Sequence, residues 1–263
     1  MPALDGSARI LHAPPLPRGL TVARSLTLAS VLLLASAAAS ADPSYYVVTA
    51  YDNEGIGTVD FRYWTVHRPG SPAMVWPEIG LGYGVTSRWY TEVYASWLGS
   101  ADTATRLDTL NWQNEYLLTQ GQYPFDLALH ASYIRLQTTH DGYALEWGPV
   151  LQTDVGRTQL NANLFLEREF NAGAPTQTEM KYQWQVRYRW KAPLHFGLQG
   201  FGELGPWDRW APRERQSHRA GPALFGSVPI GAGRSLSYQA AYLLGSVYGH
   251  HADMFTMRVQ YAY

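Results

Sequence analysis

Residues 179–190 read EMKYQWQVRYRW. Met180, Tyr182, Trp184, Val186, Tyr188 and Trp190 alternate with Lys181, Gln183, Gln185, Arg187 and Arg189. Successive side chains of a strand point to opposite faces, so this is a strand with one dry side and one wet side. A soluble sandwich would turn the dry side toward a second sheet. An outer-membrane barrel would turn it toward lipid and line its interior with the wet side. The choice rests on whether the rest of the chain supplies a sheet to cover the dry side.

The chain of 263 residues has no cysteine and a formal net charge of −1. Residues 1–41 read as a signal peptide. Arg18 and Arg24 precede the apolar run SLTLASVLLLASAAASA, and Ala39-Ser40-Ala41 fits the small-residue cleavage pattern. The run is shorter than the ~20 residues of a spanning helix. The stretch before Arg18 is long for a leader and fits an over-extended start. Cleavage after Ala41 starts the mature chain at Asp42 and leaves 42–263 as one domain. Removing the leader's three Arg and one Asp leaves 17 basic and 20 acidic residues, a balance that does not suit nucleic acid. Export without cysteine means that no disulfide framework supports the fold. All 10 Trp and all 18 Tyr lie in the mature part. Trp and Tyr favour the membrane–water boundary, where a ring presents an apolar body and a polar tip.

Alternating segments recur to the last residue, at 57–67, 74–85, 89–98, 106–119, 124–138, 142–155, 158–170, 178–190, 194–204, 217–229, 235–246 and 253–263. The stretch YYVVTAY at 45–51 is expected to extend the first strand or to add a piece across the bend DNEGIG. The links alternate in length. TSR, GQY, GR, KAP and IGAGR are short, whereas most of the others, GPWDRWAPRERQ and SVYGHHAD among them, are longer. An outer-membrane barrel has short periplasmic turns and longer outer loops, and an even strand count brings both termini to the short-turn side.

Register follows from the turns. With TSR as a three-residue turn, Leu81 faces Val93 and Tyr83 faces Thr91 on the dry side, while Gly80, Gly82 and Gly84 face Tyr94, Glu92 and Tyr90 on the wet side. A two-residue turn would put Glu92 among the apolar set. With GR as a two-residue turn, Trp147 faces Leu166, Glu146 faces Glu167 and Gln152 faces Asn161. With KAP as the turn, Tyr188 faces Phe196, Arg189 meets His195 and Lys181 meets Glu203. Every neighbour alternates equally, and no second sheet remains. The expectation is an all-β transmembrane antiparallel up-and-down barrel of about twelve strands in the bacterial outer membrane. Its dry face meets lipid, so arginine is costly at Leu164 and mild at Asn163 where the lumen has room. Trp89, Phe125, Trp190, Phe196 and Tyr263 beside short turns, and Trp64, Trp76, Trp97 and Phe170 near longer loops, read as two interfacial girdles.

The last strand alternates Phe255, Met257, Val259, Tyr261, Tyr263. An aromatic terminus of this kind resembles the signal read by the bacterial barrel-assembly machinery. Three stretches, IGLGYGVTSRWYTEVY, EWGPVLQTDVGRTQLNANLFLERE and FGLQGFGELGPWDRWAPRERQSHRAGPALFG, together resemble a family of uncharacterised proteobacterial outer-membrane barrels. The resemblance implies export, a barrel and the outer membrane, and it implies no particular chemistry.

Function is therefore sought in the lumen and the loops. Eight strands leave an interior that side chains fill and sixteen leave an open channel, so twelve lie between. The wet face carries Glu92, Glu115, Glu146, Asp154, Glu167, Lys181, Arg187, Arg189, His195, Glu203, Arg219 and Arg258. Glu146, Glu167, Lys181, Glu203 and Arg219 fall on consecutive strands toward the outer end and are the constriction candidates. Arg187, Arg189 and His195 lie nearer the periplasmic end. Rings of such charges select ions in a pore, and the same groups paired with one another close a lumen. The expectation is a narrow passive channel for small polar solutes or ions, with a salt-bridged closed barrel as the alternative. A lipid hydrolase is the third reading, but Ser217 and His218 are adjacent on a strand and point apart. Trp207, Arg209, Trp210, Arg213 and Arg215 in the longest loop suit an anionic glycan or lipopolysaccharide phosphate, or an interfacial anchor. His250-His251 lacks the further ligands of a metal site, and no cofactor motif is present. The implied partners are outer-membrane lipid, lipopolysaccharide and the assembly machinery.

Overall fold

A computed structural model of the chain describes residues 45–50, 53–137, 142–171 and 175–263; the leader, Asp42 and Tyr51 lie outside them. Twelve strands follow one another: β1 (Gly57–His67), β2 (Met74–Gly84), β3 (Trp89–Ser100), β4 (Arg106–Leu117), β5 (Phe125–Leu136), β6 (Tyr143–Val155), β7 (Thr158–Phe170), β8 (Glu179–Lys191), β9 (Leu194–Pro206), β10 (Ser217–Gly231), β11 (Arg234–Val247) and β12 (His250–Ala262). Each pairs antiparallel with the next, and β12 pairs with β1 to close the barrel, which leaves no free edge. This is the twelve-stranded architecture of outer-membrane barrels.

In β8 the wet side chains Lys181, Gln183 and Gln185 are buried inside, and Tyr182, Trp184, Val186 and Tyr188 face outward. The same division runs round the barrel. Ile79, Leu81, Val93, Trp112, Leu129, Trp147, Leu164, Leu198, Leu224 and Tyr242 are exposed on the outer surface. A belt of this kind is stable only against lipid. The registers around residues 86–88 and 156–157 are those expected, with Leu81 opposite Val93 and Glu146 opposite Glu167.

The turns depart from expectation in three places. The β8–β9 ladder shifts between Tyr188 and Lys191, so Lys191 pairs with Leu194 across Ala192-Pro193 and the pairing of Arg189 with His195 is lost. A bulge absorbs the residue that a three-residue turn would have used. The β4–β5 link spans 118–124 and is long although it lies at the short-turn end. Conversely, β11 and β12 run on to Val247 and His250, so SVYGHHAD is a two-residue turn at Tyr248-Gly249, not a long loop. Both of its residues have positive φ, 48° and 78°, as a twisted hairpin turn requires. Trp64 is also reassigned. It is 2 % exposed and points inward, where its ring stacks 3.8 Å from that of Trp76. Trp64 shares the phase of Asp60 and Arg62, and Trp76, paired opposite it, shares that of Glu78, so alternation puts both on the lumen side rather than in a girdle.

Candidate functional site

The lumen holds residues 45–50 of the chain itself. Asn53–Ile56 cross the short-turn mouth beside Gly84, where Gly55 N donates to Gly84 O at 2.8 Å and Gly84 N to Ile56 O at 3.0 Å. Gly84 is required there, because a Cβ would strike the Asn53 carbonyl. N-terminal to this tether the chain lies inside the barrel, with Tyr45 nearest the long-loop half. Tyr45 and Val47 pack on one apolar wall cluster that includes Trp64, Phe201, Phe225, Leu243 and Met254. Tyr46 and Val48 pack on another, with Leu117, Ala128, Val150 and Phe165. The segment thus alternates like a strand, but both of its faces are gripped by the wall.

Polar groups fix its height. Tyr45 Oη donates to Glu203 at 2.8 Å and Tyr46 Oη to Gln113 at 2.6 Å. Thr256 Oγ1 donates to Tyr45 O at 2.6 Å. Val48 N donates to Gln183 at 3.1 Å, and Asn163 Nδ2 donates to Val48 O at 2.8 Å. Arg62 lies 3.9 Å over the Tyr46 ring, and Arg219 lies 4.3 Å over that of Tyr45. YYVVTAY reads as a strand in the sequence. Nothing local in it distinguishes a wall strand from a segment threaded through the lumen, since both are extended and alternating. The room expected beside Asn163 is taken by Val48.

Around the segment runs a belt of ion pairs. Asp60 accepts from Arg62 at 3.1 Å and from Arg258 Nε at 2.7 Å, and Arg62 reaches Glu92 at 2.6 Å. His130 stands between Glu115 at 3.4 Å and Glu146 at 3.3 Å. Lys181 contacts Glu167 at 2.9 Å, and Arg219 pairs with Glu203. The five constriction candidates are therefore on one inner face of consecutive strands β6–β10, but as members of pairs rather than as a bare ring. Asp60, Arg62, Glu78 and His130 belong to the same buried set. Their phase in β1, β2 and β5 was open to reading once those registers were fixed.

Arg187, Arg189 and His195 do gather at the short-turn mouth. Arg187 Nε donates to His195 Nδ1 at 2.8 Å, whereas Arg189 turns to the β6–β7 hairpin and binds Asp154 of β6 at 2.9 Å and Gln159 of β7 at 3.1 Å. At the other mouth Trp207, Arg209, Trp210, Arg213 and Arg215 are all exposed on the β9–β10 loop. Backbone bonds such as Ala211 N to Leu204 O, at 2.8 Å, fix that loop's path. Ser217 Oγ accepts from Tyr248 N at 3.0 Å, and His218 engages Tyr182 and Gln216, each at 2.8 Å. Serine and histidine thus point to different partners and do not form a nucleophile–base pair. Among the described residues no three His, Cys, Asp or Glu side chains gather as metal ligands.

No protein-family model matches the chain, and no curated protein sequence matches it either. Solved structures do. An outer-membrane channel from Pseudomonas putida F1 superimposes with a TM-score of 0.56 at 11 % identity, over 85 % of this chain and 99 % of that one. The NanC porin gives a TM-score of 0.52 at 11 % identity, over 76 % of this chain and 98 % of that one. The KdgM porin, solved with disordered oligogalacturonate, gives 0.52 at 9 % identity, over 78 % and 98 %. At such identities the likeness is one of fold.

Proposed function

We propose that this protein resides in the bacterial outer membrane and is a narrow passive channel for small polar solutes or ions, held shut at rest by residues 45–50. The observation that carries this reading is that the obstruction is a segment tethered at one mouth, not a part of the wall. Gln113, Asn163, Gln183 and Thr256 hold it through single hydrogen bonds. Water replaces such bonds at little net cost, about 1 kcal/mol each. The channels and porins that share the fold support the same class of function. The outer-loop tryptophans and arginines suit contact with lipopolysaccharide phosphate, and the aromatic end of β12 suits recognition by the assembly machinery.

The second reading, a permanently closed barrel, draws on the two apolar clusters. Burying Val47 and Val48 alone contributes on the order of 1.5–3 kcal/mol each. Conductance in planar bilayers separates the two. The wild-type barrel is expected to give rare, brief ohmic steps, and a chain lacking residues 45–50 long-lived ones. Silence from both, with the barrel folded by circular dichroism, would establish the closed reading.

A further inference from the structure

Beneath the tethered segment, toward the short-turn mouth, the described residues line a half-open recess of about 130 Å³ between Val47 and the inner faces of β8, β10, β11 and β12. A cavity needs only ~10–15 Å³ of such water-centred space to hold one water, so this one takes a molecule of several heavy atoms. We propose that it is a binding site for a small organic carboxylate.

The lining has the chemistry for one. It carries two guanidiniums, those of Arg187 and Arg258, and no carboxylate side chain. Arg258 also contacts Asp60, but Asp60 does not line the cavity. Asp154, an acid at this mouth, is engaged by Arg189. Gln185, 2 % exposed, lines the cavity with a buried carboxamide oxygen that has no hydrogen-bond partner, and the Gln239 amide nitrogen on the facing strand is also without one. Burying such groups unpaired costs free energy that a ligand recovers. Carboxylate oxygens accept from the Gln239 amide and from guanidinium, and charge-assisted bonds of this kind are the stronger ones. Gln185 presents its NH₂ to the same ligand when its amide turns over. The rest of the lining is mixed: Thr49, Ser237 and Gln260 are polar, while Val47, Phe225 and the Tyr238 ring present apolar surface. The Phe225 ring lies under Arg187 at 5.2 Å, and Val47 lines the side toward the tethered segment. A bare inorganic anion would leave those surfaces in contact with water, whereas a short carbon chain covers them. The amphipathic lining therefore selects a carboxylate with an apolar tail over phosphate.

Calorimetry on the full barrel in neutral detergent tests this, with butyrate as the probe at fixed ionic strength and with phosphate and butanol for comparison. Butyrate is expected to give saturable heat at one site, with phosphate and butanol each about tenfold weaker or silent. Arg187→Gln and Gln239→Ala should each weaken butyrate by about tenfold, while Arg106→Gln at the exposed start of β4, with the same change of charge, leaves it unaltered. Two separate variants keep the test decisive if one does not fold. Equal binding of phosphate and butyrate, equal loss in Arg106→Gln, or no saturable heat would overturn the proposal. The readout is binding rather than current, so the outcome is independent of whether the lumen conducts.

Discussion

Asn163 and Leu164 are neighbours in the chain and answer to different surroundings. Leu164 is 41 % exposed on the outer belt, and Asn163 is 4 % exposed, with its amide on Val48 O and Gln183. Leu164→Arg should lower stability by about 2–4 kcal/mol, the cost of arginine at the midplane of a barrel. A reversible urea titration in lipid vesicles measures it, and a loss under half of that would remove Leu164 from the lipid face. Lys181 makes the complementary case inside. It and Glu167 have side chains only 6 % and 4 % exposed. Lys181→Met should cost about 3–5 kcal/mol in the same titration, because it leaves a buried carboxylate without its cation. A belt open to water and counterions would instead screen the loss to under about 1 kcal/mol. Alternation alone says which of these side chains points inward. It does not say what each one meets, which depends on strands far away in the chain.

The strands were legible because period two and turn chemistry are local, and cross-strand partners such as Gly82 and Glu92 then follow by counting. Where counting failed, a bulge had intervened, and a bulge is decided by twist and closure rather than by the residues of the turn. That is why KAP departs from its reading while GR does not; SVYGHHAD departs without a bulge, because β11 and β12 stay in register out to a two-residue turn. The β10–β11 turn shows how tightly the hairpins are drawn. Ala232 and Gly233 both have positive φ, 50° and 76°, after a register shift between Pro229 and Gly231. An alanine there bears a steric cost that glycine avoids. Ala232→Gly should raise stability by about 0.5–1 kcal/mol in spite of the added freedom of the unfolded chain. A fall in the urea midpoint would mean that the turn relaxes in the membrane to a conformation alanine accepts. The segment 45–50 was illegible at this scale for a different reason: its pattern is that of a strand, and only the closed wall around it leaves it no place in the sheet.

At the scale of the whole molecule, the tether sets the direction in which the lumen can be cleared. The segment joins β1 through Asn53–Ile56 at the short-turn mouth, which in an outer-membrane barrel is periplasmic. It can therefore enter and leave only from that side, with its N-terminal end leading inward. If the leader ends at Ala41, three residues precede Tyr45, and three extended residues reach no more than about 10 Å. A chain end that short can follow Tyr45 into the barrel, whereas a folded domain placed ahead of Asp42 cannot pass the mouth. Such a fusion should hold residues 45–50 outside and give the same long-lived conductance steps as their deletion. Proteolytic removal of the added domain at Asp42 should then restore the rare, brief openings of the wild type. If the fusion stayed closed while the deletion conducted, the segment would be entering by another route, and the tether would not govern the lumen.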